Sequence, residues 1–243
     1  MPGAHRALNF DLRLVAVTRI KFCGITRLED AELAVHTGAW AIGLIFWPHS
    51  PRRCQLDVAA EIASVVKRRV EVAGVFVNAT LDEVTTSAEA VGLTMLQLHG
   101  DEGPAYCAEA ARRTGCKVIK AVRVRSGADV RALAAFHTDY HLLDSYAAGV
   151  PGGTGETFAW EIARGDSIPA RPPHTARVPL ILSGGLNSGN VADAIAAVRP
   201  FAVDVASGVE VEGDPTRKDP ERLEAFAVAV RATQTADIPG AAR

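Results

Sequence analysis

Cys23 closes the short stretch 19–23, and Lys21, two residues before it, shares its face if that stretch is extended. A thiolate is a competent base, and a neighbouring ammonium favours it, lowering the thiol pKa from its reference of about 8.5. Cys23 is therefore a candidate general base, although a free cysteine here is as readily a small buried hydrophobe. Asp144 follows the apolar pair Leu142-Leu143. Burial there would raise a carboxyl pKa enough for proton donation near neutral pH, so Asp144 is a candidate general acid; the alternative is a loop hydrogen-bond acceptor. His99 and Asp204 also stand near the ends of apolar runs, and each could touch a ligand or satisfy a polar interior. Arg52, in Pro48-His49-Ser50-Pro51-Arg52-Arg53, carries a planar fork that suits a carboxylate; in isolation such an arginine is a solvated surface charge.

Glycine-rich segments in the last third of the chain suggest an anion site. One apolar run leads into Ser183-Gly184-Gly185-Leu186-Asn187 just before a helical stretch, and another ends in Ala206-Ser207-Gly208-Val209. Glycine lets a backbone approach an anion closely, and exposed N–H groups beside a helix N-terminus supply donors and positive potential. A phosphate is the expected ligand of Gly184, Gly185, Ser207 and Gly208. Gly152-Gly153-Thr154-Gly155 could fold over that ligand as a flap, with Gly153 and Gly155 contributing. A single Gly-Gly would read as a tight turn; two such loops in related places favour the phosphate.

The elements that must position these residues alternate. Short apolar runs predict strands over 19–23, 41–46, 72–77, 95–99, 117–122, 141–144, 180–183 and 202–206. Helical periodicity falls between and after them, over 28–36, 56–68, 81–91, 104–114, 128–135, 158–164, 191–198 and 221–233. Eight strands, each followed by a helix, is the count for a single (βα)8 TIM barrel; an open doubly wound sheet normally has fewer strands. Side-chain alternation agrees. Ile20 and Phe22 share one face against Arg19, Lys21 and Cys23; Leu96 and Leu98 oppose Gln97 and His99; Val203 and Val205 oppose Asp204. In a barrel the apolar face meets the helices and the mixed face points inward. In that fold, reactive groups come from the C-terminal strand ends, and phosphate is gripped by the loops after strands seven and eight.

Residues 18–233 are expected to form the barrel domain, residues 1–17 an N-terminal extension and residues 234–243 a tail. The Pro- and Arg-rich segment 165–178 reads as an inserted loop.

The chain has 243 residues, 48% hydrophobic and 22% charged, with a formal charge of −2. That is ordinary globular composition and gives no reason to expect nucleic acid as a partner. Cys23, Cys54, Cys107 and Cys116 form no C-x-x-C pair and read as reduced thiols of a cytoplasmic protein. No apolar run approaches the roughly 20 residues that span a bilayer, so no membrane is expected. No spacing of His, Cys or carboxylates suggests a metal, and neither a P-loop nor a G-x-G-x-x-G follows the first strand.

Taken together, these segments resemble the phosphoribosylanthranilate isomerase family. The resemblance is carried by Lys21-Phe22-Cys23-Gly24-Ile25-Thr26, Gly43-Leu44-Ile45-Phe46 with Ser50-Pro51-Arg52, and Gly74-Val75-Phe76-Val77-Asn78. It continues through Gln97-Leu98-His99-Gly100, Leu143-Asp144, the 152–155 glycines with Phe158 and Trp160, and the segments 182–186 and 203–210. It implies a TIM barrel that performs an Amadori rearrangement in tryptophan biosynthesis. N-(5-phosphoribosyl)anthranilate would become 1-(2-carboxyphenylamino)-1-deoxyribulose 5-phosphate, with no cofactor. It further implies Asp144 as general acid on the ring oxygen and Cys23 as general base at C2′. Arg52 would bind the anthranilate carboxylate, the glycine loops the phosphate, and His99 and Asp204 would line the sugar site. A monomer and a homodimer are both compatible with this architecture. The nearest rival, an indoleglycerol-phosphate synthase, would want a lysine acid at a strand end, whereas Lys21 and Lys120 lie mid-strand. A non-catalytic phosphosugar binder would need neither Cys23 nor Asp144.

Overall fold

A computed structural model describes residues 17–144, 160 and 178–236. Eight parallel strands close into a barrel in chain order: β1 (Arg19–Cys23), β2 (Ala41–Ile45), β3 (Glu71–Phe76), β4 (Met95–Leu98), β5 (Lys117–Arg123), β6 (Tyr140–Asp144), β7 (Leu180–Ser183) and β8 (Ala202–Val205). The seam that closes it pairs β1 with β8, with Lys21 directly opposite Asp204. The described helices are α1 (Leu28–His36), α2 (Leu56–Val66), α3 (Leu81–Val91), α4 (Pro104–Thr114), α5 (Gly127–Ala132), α6 (Val191–Val198) and α7 (Pro220–Ala236).

The predicted alternation sorts side chains into two layers. Ile20, Phe22, Leu96, Leu98 and Val203 point outward and join the apolar layer under the helices, where Phe22 meets Phe226 of α7 edge to face at 6.2 Å. Truncating a fully buried phenylalanine such as these costs about 3–5 kcal/mol. Ala73, Met95, Ile119, Ala121, Leu142, Ile181 and Ala202 fill the barrel itself, and Trp40, Tyr140 and Phe201 pack beneath them with centroids 5.2–5.4 Å apart. Branched and small residues in alternating layers make this a packed core rather than a pore. What remains for chemistry is the upper layer.

Local signals set the helix ends. Thr80 and Glu83 form a reciprocal capping box at α3, and Gly92 ends that helix with a left-handed φ of 70°. Element ends otherwise shift by one to three residues from the periodicity, as in β2 and β3. Two features depart from expectation. Helix α5 gives way to a 3₁₀ turn at Leu133–Ala135, and an antiparallel hairpin, β9 (Glu210–Val211) with β10 (Asp214–Lys218), follows β8. The expected extension and inserted loop lie outside the described residues except for Val17 and Val178, as does the tail beyond Ala236. No described helix is long and apolar enough to cross a membrane.

Candidate active site

The side chains that could react gather where the strands end. Cys23 is the last residue of β1 and is 6% exposed. Two glycines make room around it. A Cβ on Gly43 of β2 would stand 2.8 Å from Cys23 Sγ and 3.1 Å from Lys21 Nζ. Gly24 turns the chain away with φ +74°, and a Cβ there would stand 2.7 Å from Cδ of Arg52. The stem of Arg52 therefore lies across the end of β1, beside the thiol. Both Gly24 and Ile25 donate their N–H to the carbonyl of Gly43, at 2.9 and 3.0 Å, which locks this turn onto β2.

The electrostatics of Cys23 differ from the sequence expectation. Lys21 does lie below it, but its Nζ is committed to Asp204 Oδ1 at 2.6 Å, with both heads buried. Burial alone would pull the Lys21 pKa down; Asp204, and secondarily Cys23, outweigh that and raise it. For Cys23, burial is the dominant influence and pushes the thiol above its ordinary pKa. The ammoniums of Lys21 and Lys218 oppose this, and Asp204 adds to it. Burial thus works against the thiolate that the Lys21 spacing favours.

Asp144 ends β6 on the same rim, with its side chain 19% exposed and its Oδ2 3.4 Å from Nε2 of His99. His99 Nδ1 in turn lies 3.3 Å from Nε2 of Gln97, an inward-facing residue of β4. Gln97 is buried, and its Oε1 has no hydrogen-bond partner among the described residues. Since the Gln97 amide donates to Nδ1, a neutral His99 carries its proton on Nε2, facing Asp144. His99 and Asp144 were read separately from the sequence; the fold makes them a pair.

Arg52 is not a solvated charge. Its Nε and Nη2 donate to Oε1 and Oε2 of Glu210 at 2.6 and 2.8 Å. Glu210 also accepts from Lys218 Nζ at 3.0 Å, and that ammonium reaches the carbonyl of Ala206 at 3.2 Å. Burial favours a protonated Glu210, but Arg52 and Lys218 overcome it and hold the carboxyl below its usual range. The hairpin β9–β10 supplies both residues. It is pinned over β1 by Lys218 N–H on Asp30 Oδ2 at 3.0 Å and by the Thr26 hydroxyl on the Thr216 carbonyl at 2.5 Å. Sequence position alone points to neither Glu210 nor Lys218 as a site residue.

The glycine loops meet backbone to backbone. Gly184 and Gly185 have φ of 98° and 62°, which disfavour any side chain. A Cβ on Gly208 would be 2.0 Å from the carbonyl oxygen of Leu186, so only glycine brings the two loops together. Asn190 accepts from Asn187 N–H at 2.8 Å and donates to the Gly185 carbonyl at 3.0 Å, fixing the turn into α6. Ser183 donates to Asp204 Oδ2 at 3.1 Å, so both oxygens of Asp204 are engaged inside the barrel, one by Ser183 and one by Lys21. Asp204 is thus held between Ser183 and Lys21 and is 5% exposed. Gly153 and Gly155, expected in a flap, lie outside the described residues.

Lys120 faces outward from β5. Its Nζ bonds Glu102 at 2.9 Å and the Gly100 carbonyl at 2.7 Å, while Glu102 also accepts the N–H groups of Asn78 and Gly100. This buried cluster fixes the loop after β4 and so the position of His99. Both mid-strand lysines are thus tied to carboxylates, which removes the lysine acid that the rival reading needed.

Comparison with known proteins identifies the family. Residues 20–229 match the model of the family described as N-(5'phosphoribosyl)anthranilate (PRA) isomerase. The chain is 45% identical over 207 residues to the N-(5'-phosphoribosyl)anthranilate isomerase of Citrifermentans bemidjiense, covering 85% of this chain and 94% of that protein. It is 46% identical over 217 residues to that of Stutzerimonas stutzeri, covering 88% and 98%. Among solved structures, phosphoribosyl anthranilate isomerase from Thermotoga maritima superposes with a TM-score of 0.75 at 38% identity, covering 88% of this chain and 99% of that one. A structure of the isomerase in complex with reduced 1-(o-carboxyphenylamino)-1-deoxyribulose 5-phosphate gives 0.72 at 36%, with the same coverage. This chain belongs to the N-(5'-phosphoribosyl)anthranilate isomerase family.

Proposed function

We propose that the barrel mouth rearranges N-(5'-phosphoribosyl)anthranilate to 1-(2-carboxyphenylamino)-1-deoxyribulose 5-phosphate with Asp144 as general acid and Cys23 as general base. The carrying observation is the order of groups around the rim. Asp144 on β6, the glycine loops after β7 and β8, Cys23 on β1 and Arg52 after β2 follow one another around the closed barrel. A substrate with an anion at each end, held by Arg52 and by the glycine loops, would lie across the mouth with Cys23 on the arc between its two anchors and Asp144 on the other side of the glycine loops.

Asp144 gives its proton to the furanose oxygen as the C1′–O bond breaks, leaving a ring-opened iminium and a carboxylate. Cys23 then removes the C2′ proton, and the electron pair neutralises the iminium nitrogen to give an enolamine. Tautomerisation adds a proton at C1′ as the C2′ hydroxyl loses one to give the ketone, and the proton that Cys23 gained returns to Asp144 through solvent, so the isomerisation leaves composition and catalyst unchanged. No cofactor enters these steps. Lys21, Lys218 and the iminium itself all favour the Cys23 thiolate against the burial that opposes it. His99, with Nε2 toward Asp144, holds that carboxyl in place; Asp204 supports the site through Lys21 and Ser183. Gly184, Gly185, Ser207 and Gly208 hold the phosphate by backbone N–H groups, joined by Gly153 and Gly155.

The test is turnover of phosphoribosylanthranilate followed by loss of anthranilate fluorescence. Wild type is expected to turn over; Cys23→Ala and Asp144→Asn are expected to lose at least a hundredfold in kcat, the low end for a general acid or base. Unchanged kcat in either variant removes that residue's role. Tight product binding without turnover by wild type would instead make the chain a binder.

A further inference from the structure

A guanidinium offers two edges to a carboxylate: a side edge made by Nε and Nη2, and an end edge made by Nη1 and the second Nη2 proton. Glu210 occupies the side edge of Arg52 with both of its oxygens, at 2.6 and 2.8 Å. No bond to Nη1 is found among the described residues. Glu210 is shared between two cations, Arg52 and Lys218, so it does not neutralise Arg52 alone.

Their rigidity is as informative as their charge. Glu210 and Lys218 are buried, while the Arg52 side chain is 25% exposed. Lys218 has its backbone N–H on Asp30 and its ammonium on Ala206 as well as Glu210. Arg52 has its backbone N–H on the Ser50 hydroxyl at 3.1 Å and its stem on Gly24. An unsupported arginine samples many rotamers and loses that freedom on binding, whereas a guanidinium already held by two charge-assisted bonds does not.

We propose that Glu210, backed by Lys218, is a positioning residue that presets Arg52 with its end edge open, and thereby selects substrates whose aryl ring carries a carboxylate. The inference rests on the reading of Arg52 as the carboxylate clamp. Glu210 touches no reacting atom in this scheme; because it also holds Lys218, which bears on the Cys23 thiol, recognition is isolated by the difference between two substrates that share the chemical steps.

The experiment compares two substrates, the phosphoribosyl adducts of anthranilate and of aniline, which differ only in the carboxylate. With the anthranilate adduct, Glu210→Ala is expected to raise KM roughly tenfold to a hundredfold with kcat within about threefold of wild type. With the aniline adduct, the same variant is expected to leave KM unchanged. Glu210→Gln, which keeps an acceptor for Nε–H but not the charge, should fall between, and it carries the test if Glu210→Ala does not fold by circular dichroism. An equal KM rise on both substrates, or a loss confined to kcat, overturns the proposal. Arg52→Ala separates the two levels. If it fails to distinguish the substrates, the clamp reading falls and the proposal with it; if it distinguishes them and the Glu210 variants do not, only the role of Glu210 falls.

Discussion

Lys21 and Asp204 face each other across the seam that closes the barrel, Nζ to Oδ1 at 2.6 Å, with 183 positions of chain between them. Taking two charges out of water is costly, and their attraction offsets it only while both are present. Lys21→Met or Asp204→Leu alone is expected to cost about 3–5 kcal/mol by chemical denaturation, because each leaves an unpaired buried charge. The double variant should recover most of that loss. Additive losses in the double would show that the pair is not the source of the cost.

Gly43→Ala tests the room around the thiol. The added Cβ would lie 2.8 Å from Cys23 Sγ and 3.1 Å from Lys21 Nζ, so both must shift within a packed barrel. Overpacking of this kind costs about 1–3 kcal/mol, and a displacement near 1 Å at a reacting group costs about a hundredfold in rate. Gly103→Ala is the control, since nothing lies within 4 Å of its Cβ position and its φ is −81°. Equal activity in the two variants would mean that the tight fit at Gly43 has no bearing on the reaction.

The contrast between these sites shows what a sequence can carry. Strands β1 to β8 are legible because each carries a short apolar run, to which β1, β4 and β8 add a mixed opposite face. The β9–β10 hairpin is not, because its second strand, Asp-Pro-Thr-Arg-Lys, has no apolar residue and is held by ion pairs and backbone bonds to distant segments. Cys23 and Asp144 were found by type and strand-end position. Spacing reveals Lys21 two residues from Cys23 but neither the depth of burial nor the Asp204 that engages Lys21, so it overstates the pull toward the thiolate. The His99–Asp144 pair depends on which strand ends meet at the barrel mouth, and the Arg52–Glu210 pair on where the hairpin folds back onto the segment after β1.

His141 offers a pH-dependent prediction. It is buried on β6, and its ring nitrogens make no hydrogen bond of good geometry among the described residues; the backbone of Phe136 gives its charged form only weak support. Burial lowers its pKa from 6.5 to about 4, so the folded chain keeps it neutral. Below about pH 6.5 the unfolded chain takes up a proton that the folded chain refuses, so stability falls with decreasing pH until about pH 4. The loss is on the order of 3 kcal/mol across that window. His141→Leu removes the titration and the two unpaired nitrogens. It should therefore unfold at higher denaturant than wild type at pH 5, with the difference shrinking toward pH 7. Parallel pH profiles for the two proteins would contradict this origin.

His99 should act through Asp144 and not on its own. Its Nε2 lies 3.4 Å from the carboxylate, and Gln97, 3.3 Å from Nδ1, sets the tautomer that points a proton that way. Such a contact orients the acid when the sugar arrives, so His99→Ala should lower kcat by about tenfold to a hundredfold with a smaller change in KM. Groups that act as a unit are not additive in rate, so His99→Ala should cost little once Asp144 is already Asn. Gln97→Met makes the argument sharper. It removes the donor to Nδ1 while also removing the unpaired Oε1 from the barrel interior, so activity should fall while stability holds or rises. Steady-state kinetics on the Asp144→Asn/His99→Ala double variant decide the matter: a full independent loss from His99→Ala in that background would make His99 a separate contact to the substrate.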